Sequence, residues 1–413
     1  MPSTRRIFLK NSALAMVGIG ALPAWLARSA YASAPSAPGR KKVLVAIFQR
    51  GAADGLNTVV PYGEQVYYNL RPTIAIPRNE LVDLDGFFGL HPALAPFKPL
   101  WDQGVLAAVH ATGSPDPTRS HFDAQDFMES GTPGLKATDD GWLNRALAAD
   151  SGRGRSPVRA VAMGNQVPLT LQGRQPAVAI NNLNAFRVGG PAATGPAAAF
   201  AAMYDTSADA LLRPAGQDTF AALRLVRGLD PQHYQPAAGA AYPNAPLGNS
   251  LRQLAQLIKA DVGVEVAFAD VQGWDHHVNE GNSTGQLANS LSGFAQAIQA
   301  FWTDLGPRQQ DVVLVTMSEF GRTVHENGNR GTDHGHANVM FVLGGDVRGG
   351  KIYGDWPGLN PGQLYQDRDL AITTDFRAVL SEAVQSHLGV TQLDGVFPNY
   401  TINPAQFRRF LRS

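Results

Sequence analysis

The chain has no cysteine among its 413 residues. That excludes a disulfide framework, a thiolate nucleophile and any zinc site built on Cys. Net charge is missing too: 34 basic residues balance 34 acidic ones, so there is no basic excess of the kind a nucleic-acid binder needs. No apolar stretch reaches the roughly 20 residues of a membrane-spanning helix. No repeat with a period of about 20–50 residues marks a solenoid. What is present is a 44% hydrophobic content, enough to bury a sizeable core and to exclude a disordered chain. The length suits about two domains, or one large α/β domain with insertions. With Gly at 43 and Pro at 28, loops should be plentiful and partly ordered.

The first residues read as an address. Arg5-Arg6-Ile7-Phe8-Leu9-Lys10 precedes a moderate apolar run at 13–27 that contains Pro23, and small residues follow through Ala30-Tyr31-Ala32. This order resembles a twin-arginine export signal spanning 1–32, with a linker over 33–42. That route moves folded proteins, which suits a chain that must fold around a metal or cofactor first. The absence of Cys fits folding in a reducing cytoplasm. The expected location is periplasmic or secreted, with the twin-arginine translocase as a transient partner and no stable membrane span.

Beyond the address, short apolar runs recur at 43–48, 105–109, 264–268, 312–316 and 339–343. They read as buried strands of a parallel sheet. Helical patterns lie between them at 92–101, 121–129, 141–149, 197–204, 219–226, 247–261, 286–305 and 375–388. The alternation predicts an α/β domain over 43–413, with a mainly parallel central sheet flanked by helices. Short extended pieces in 157–184 predict a small antiparallel insertion, within an inserted region around 157–246.

In open α/β sheets the ligand sits at the carboxyl ends of the strands. Each of four predicted strand ends carries a carboxylate: Asp54, Asp116, Asp270 with Asp275, and Glu319. Five of the ten His fall between His276 and His336, and His121 opens a predicted helix. Imidazole with carboxylate suits Zn, Mn, Fe or Ni, while all-oxygen sites suit Mg or Ca. His334 and His336, two apart, would share a face if the segment is extended. Taken singly, each motif has a plainer reading. Asp54-Gly55 is a common turn pair, Ser120 suits a helix N-cap, and Glu319 with Arg322 suits a salt bridge. His91, His110, His233, His325 and His387 have no clustered partners and read as structural or surface residues.

Several stretches carry a family resemblance: Phe48-Gln-Arg-Gly-Ala-Ala-Asp-Gly-Leu-Asn57, Leu90-His-Pro-Ala-Leu94, Arg119-Ser-His-Phe-Asp-Ala-Gln125, Gly273-Trp-Asp-His-His277, Ser318-Glu-Phe-Gly-Arg-Thr323 and Gly331-Thr-Asp-His334. By these the chain resembles the domain of unknown function 1501 family, itself similar to the alkaline phosphatase and sulfatase superfamily. The resemblance implies an alkaline-phosphatase-like fold and a metal-dependent hydrolase of a phosphate or sulfate ester or similar small anionic substrate. It also implies one or two divalent ions, Zn foremost, with Mn, Fe or Ca as alternatives, and an exported partner protein.

By the same resemblance Asp275, His277 and His334 or His336 would hold one metal, with Asp270 a rival for Asp275. Asp54 and Glu319 would hold a second, with His121 replacing the His that the superfamily places after its late strand. Ser120 or Thr118 would be the nucleophile. Arg119, Arg50 and Arg322 would grip an anionic oxygen, with Asn57 also on the substrate side. The sulfatase motif fails: four residues before Arg119 stands Pro115. The alternative expectation is a non-catalytic periplasmic binding or assembly protein on a degenerate hydrolase scaffold.

Overall fold

The computed structural model describes residues 42–136, 138–150, 156–185, 221–222, 225–226 and 228–412. The expected leader, the linker up to residue 41, the helix at 197–204 and part of that at 219–226 lie outside the described residues. The strands are β1 (Val43–Arg50), β2 (Val59–Val60), β3 (Val82–Asp83), β4 (Gly89–Leu90), β5 (Leu106–Gly113), β6 (Ala160–Ala162), β7 (Val178–Ala179), β8 (Val266–Gln272), β9 (Val312–Ser318), β10 (Asn338–Gly344), β11 (Ile352–Tyr353) and β12 (Thr374–Asp375). Among the described residues the helices are α1 (Gly55–Thr58), α2 (Gln65–Leu70), α3 (Lys98–Asp102), α4 (His121–Ser130), α5 (Trp142–Ala149), α6 (Pro246–Lys259), α7 (Gln286–Leu305) and α8 (Phe376–Leu388).

The period-2 geometry of β1 divides its side chains between two cores. Val43, Val45 and Ile47 pack with the apolar stripes of α6 and α7, including Leu251, Leu254, Leu291 and Phe294. Leu44, Ala46 and Phe48 pack on the other face with Trp142 of α5 and with Phe376, Val379 and Leu380 of α8. A strand covered on both faces must be apolar at every position, which is why β1 reads as a continuous hydrophobic run. Each such side chain, fully buried, stabilises by roughly 1.5–3 kcal/mol.

The main sheet runs β11-β5-β10-β9-β1-β8-β6-β7, with β12 also paired to β5. From β9 through β1, β8 and β6 to β7 every neighbour is parallel. β10 is antiparallel to both β9 and β5. The mainly parallel sheet between helical layers is therefore as expected from the sequence, and a small antiparallel sheet is present as well. It lies elsewhere, however: β2, β4 and β3 form it within 59–90. The stretch 157–184 instead extends the main sheet in parallel through β6 and β7. The short apolar pieces there were compatible with either role.

The direction of β10 matters for function. Because it returns antiparallel beside β9, the connection 319–337 needs no crossover and stays at the carboxyl ends of β1, β8 and β9. Among the described residues no helix is long and apolar enough to cross a membrane.

Candidate metal centre

Three strand-end segments meet at this rim. His121 is the first residue of α4, whose N-cap Ser120 accepts from the Asp123 amide at 3.5 Å. Asp275 and His277 follow β8, and His334 lies in the connection from β9 to β10. Close backbone approach locks them together. At Gly331 a Cβ would lie 2.4 Å from the His277 carbonyl, so only glycine lets the 331–334 loop sit against the 275–277 loop. Gly51, at φ +118°, likewise lies under the Asp275 amide, where a Cβ would meet it at 2.8 Å.

Ligand-type atoms of His121, Asp275 and His334 all lie within 4.8 Å of one another. His334 Nε2 is 3.0 Å from His121 Nε2 and 2.9 Å from His277 Nε2. The Asp275 carboxylate reaches the same point, with Oδ1 3.0 Å from His277 Nε2 and 3.4 Å from His334 Nε2, and Oδ2 3.5 Å from His121 Nε2. Ligands at zinc bond lengths on a tetrahedron stand about 3.3 Å apart, and the His121, Asp275 and His334 atoms keep close to that spacing as a set of three.

The opposite ring nitrogens decide the tautomers. His121 Nδ1 meets Glu319 Oε1 at 2.8 Å, His277 Nδ1 meets Asp333 Oδ1 at 3.1 Å, and His334 Nδ1 meets the Arg119 carbonyl at 2.8 Å. Each partner accepts only, so each Nδ1 carries the hydrogen. The Nε2 atoms of His121 and His334 then lie together with the Asp275 carboxylate, and His277 Nε2 lies against His334 and Asp275. Without a cation or extra protons that arrangement is repulsive. With a divalent cation it is the usual pattern of metal-bound His held by a carboxylate or carbonyl behind it. The donor set therefore fits a divalent metal.

The surroundings hold these groups in place. Burial alone would raise the Asp275 carboxyl, but the Arg322 guanidinium, donating at 2.6 Å, holds it below its ordinary range. Arg322 is itself buried and fixed by Thr332, which donates to Glu280 at 2.8 Å. Glu319 is pushed up by burial, yet the bond from His121 and those from Gln125 and the Gly51 amide keep it ionised. The bond to Glu319 in turn raises His121 above the usual imidazole range. Burial lowers His334. A cleft of about 300 Å³ opens beside the cluster, lined among others by Arg50, His121, Gln125, Gly273 and Asp275.

Other expected site residues take different roles. Asp54 does not reach the cluster. It caps α1 through the Leu56 and Asn57 amides and pairs with the fully buried Arg71. Burial raises Asp54, and the Arg71 charge overrides it and holds it ionised, while burial and Asp54 push Glu280 well up. Asn57 is buried, its amide on the Ile74 carbonyl and its Oδ1 taken by Tyr67 and Arg71, so it meets no substrate. Glu319 stands behind the His121 ring, at 2.8 Å from its Nδ1. His336 is buried with its ring 4.2 Å from that of Tyr365. The 334–336 segment is not a regular strand, so its alternate residues do not share a face.

The Arg119 side chain pairs with Asp369 at 2.6 Å, and only its carbonyl serves the centre. Thr118 Oγ1 accepts from the Ser120 amide at 3.2 Å. Arg50 is on the cleft wall but is bridged to Asp270, Gln125 and Glu129 at 2.6–2.9 Å. Arg322 orients Asp275.

Two participants were not foreseen, Asp333 and Gln125. Gln125 and Glu129 follow His121 at i+4 and i+8, one face of α4, and that spacing was the available signal.

The DUF1501 profile, described as "Protein of unknown function (DUF1501)", matches residues 41–397. The chain belongs to the DUF1501 family. No curated protein matches it. Solved structures similar to this DUF1501 chain include the C-terminal periplasmic domain of EcEptC from Escherichia coli in complex with Zn. That pair is 11% identical, with 75% of this chain and 76% of the other covered and a TM-score of 0.36. An alkaline phosphatase superfamily protein from Vibrio parahaemolyticus is 10% identical, covering 80% and 70%, with a TM-score of 0.35. The PsFucS1 sulfatase from Pseudoalteromonas sp. is 11% identical, covering 86% and 69%, with a TM-score of 0.33.

Proposed function

We propose that this DUF1501 protein is an exported hydrolase that depends on one divalent ion and acts on a phosphate or sulfate ester or a similar small anionic group. The observation that carries this reading is the convergence of His121 Nε2, His334 Nε2 and the Asp275 carboxylate, with His277 Nε2 beside the last two and each imidazole held from behind by an acceptor. His121, His277, His334 and Asp275 would hold the ion, and Zn suits their nitrogen and oxygen donors best. Among the described residues only one cluster of this kind is found, so the proposal is a one-ion centre. When bound, such an ion supplies Lewis-acid polarisation and lowers the pKa of water.

The chain's own groups do the rest. Glu319 and Asp333 keep two rings in the ligating tautomer, and Arg322 keeps Asp275 ionised and aimed. Arg50 on the cleft wall is matched by Asp270 and Glu129, so the attraction for an anion would come from the bound ion. With Ser120 engaged as the helix cap, the proposed nucleophile is water from the cleft. Its oxygen bonds to phosphorus or sulfur, the ester bond to the alcohol oxygen breaks, and a proton passes to the departing oxygen.

Export by the twin-arginine route, on the Arg5-Arg6 leader, and a co-exported partner protein belong to the same proposal. The capped state of Ser120 favours one second reading, metal-dependent binding without turnover. The test is metal analysis of the purified chain with assays on aryl phosphate, phosphodiester and aryl sulfate. About one ion per chain and chelator-sensitive turnover lost in Asp275→Ala are expected. A metal-free protein, or turnover untouched by Asp275→Ala, would refute the proposal. Bound metal with no turnover of any ester would select the second reading.

A further inference from the structure

Asp54 does not reach the metal centre, but a line of hydrogen bonds through the interior connects it to Asp275. Glu280, Thr332 and Arg322, the members between them, are all buried. Arg322 Nη1 donates to Asp275 Oδ1 at 2.6 Å, and its Nε donates to Thr332 Oγ1 at 3.0 Å. Arg322 Nη2 donates to the Thr332 carbonyl. A hydroxyl has one hydrogen, and a guanidinium offers only donors. The Thr332 hydrogen therefore goes to its other partner, Glu280 Oε2, at 2.8 Å. Beyond it, a side-chain hydrogen bond joins Glu280 to Asp54.

Two carboxyls share a hydrogen bond only if one of them carries a proton. Asp54 already accepts from the Leu56 and Asn57 amides and from two Arg71 nitrogens. The proton thus belongs to Glu280. Its place is Oε1, which is buried and meets no donor among the described residues. Burial and the Asp54 charge push the Glu280 carboxyl up, in the same direction. The ionised groups then close into two pairs, Asp54 with Arg71 and Asp275 with Arg322. The backbone holds Glu280 where the two ligand-bearing loops meet. The Asn279 and Glu280 amides donate to the Asn329 and Arg330 carbonyls, both at 2.9 Å.

We infer that Glu280 is a positioning residue of the metal centre: through the Thr332 hydroxyl and the Arg322 guanidinium it fixes the Asp275 carboxylate against the ion. This rests on the metal centre proposed above and carries it outward to Asp54, the anchored end of the line. Glu280 touches neither cation nor substrate. Without its acceptor oxygen the Thr332 hydroxyl is free to turn, and Arg322 Nε loses the lone pair that holds it. Only the Thr332 carbonyl then keeps the guanidinium aimed at Asp275.

The experiment measures zinc affinity of the full chain by chelator competition, with urea unfolding of the apo protein beside it. A group directly behind a metal ligand is worth about 10–100-fold in affinity. Glu280 acts from further out, so Glu280→Leu should weaken zinc binding by about three- to tenfold. Thr332→Val keeps the shape of the side chain, cuts the line at its hydroxyl and should weaken zinc to a similar degree. It carries the test where Glu280→Leu does not fold. Glu280→Gln keeps an acceptor for Thr332 and a donor for Asp54, so it should restore the zinc affinity of the unmodified chain. A purely structural Glu280 would lower apo stability and leave zinc affinity alone. Unchanged zinc affinity in Thr332→Val, or in a folded Glu280→Leu, would therefore overturn the inference and leave the hydrolase reading standing. Zinc binding as weak in Glu280→Gln as in Glu280→Leu would overturn it as well. An unmodified chain that binds no zinc would overturn the inference and the hydrolase reading together.

Discussion

Asp333→Ala isolates the role of the groups behind the ligands. Asp333 touches no substrate in this reading; its Oδ1 fixes His277 Nδ1 at 3.1 Å. Removing an acceptor behind a metal-bound His typically weakens binding by about 10–100-fold. The Asp333 side chain is 52% exposed, so water competes for His277 Nδ1 and the lower end applies. The expected loss is about tenfold in zinc affinity, or about 1.4 kcal/mol. Because zinc binds only the folded chain, the same amount should vanish from zinc-dependent stabilisation at fixed free zinc. The apo chain should hardly notice, since exposed ion pairs of this kind contribute about 0–1 kcal/mol. Asp333→Asn, which keeps an acceptor oxygen, should recover part of the affinity. Competition against a chelator and denaturant unfolding with and without zinc measure both quantities. An unchanged zinc affinity in Asp333→Ala, or a stability loss equal in apo and zinc-loaded protein, would refute the tautomer argument.

Arg71→Met should cost about 3–5 kcal/mol in urea unfolding, because it strands ionised Asp54 in the interior; a loss below about 1 kcal/mol would show that Asp54 is neutral there. His110 is buried, donates Nε2–H to the Val59 carbonyl and accepts the Ala111 amide at Nδ1, and burial lowers it to about 4. The unfolded ring takes up a proton near pH 6.5 and the folded ring only near 4, so stability is complete above about 6.5 and drains as pH falls through that window. The loss is on the order of 3 kcal/mol. His110→Gln should flatten that slope in unfolding measured at pH 7 and 4.5, and an unaltered slope would contradict the assignment. Ser120→Ala should cost about 0.5–1 kcal/mol as a lost cap and leave zinc content unchanged; abolished turnover with full zinc content would restore Ser120 as the nucleophile. Gly51→Ala should strain the backbone by about 1–3 kcal/mol and weaken zinc binding by displacing Asp275; full-strength zinc binding in a folded variant would argue against that coupling.

Much of the fold was legible because strands buried on both faces need long apolar runs, and β1, β9 and β10 carry them at 43–48, 312–315 and 339–343. Strand direction leaves no such mark. The antiparallel course of β10 decides that 319–337 remains at one rim, yet its composition is that of its parallel neighbours. The same limit applied at 157–184, where short apolar pieces fitted an insertion as well as a sheet edge. Asp54 was misjudged for a related reason. Asp-Gly after a strand serves a helix cap and a metal equally, and the arbiter is Arg71, which reaches it from 17 positions away without any periodic signal.

The histidines carry this reasoning furthest. His91 accepts the Ala93 amide at Nδ1 and has the Asn282 carbonyl at Nε2. His110 is likewise closed by Ala111 and Val59, so in both rings the backbone takes both nitrogens and nothing remains for a cation. His121, His277 and His334 have the opposite arrangement, with one nitrogen anchored to an acceptor and the other facing a second imidazole rather than the backbone. The anchors lie 198, 56 and 215 residues away in the chain. Spacing in the sequence could therefore collect the histidines, but separating ligands from core residues required knowing what stands behind each ring. That criterion also admits His121 as a ligand where Glu319 follows β9. In the proposed centre the carboxylate would serve the cation at one remove, through the ring it orients.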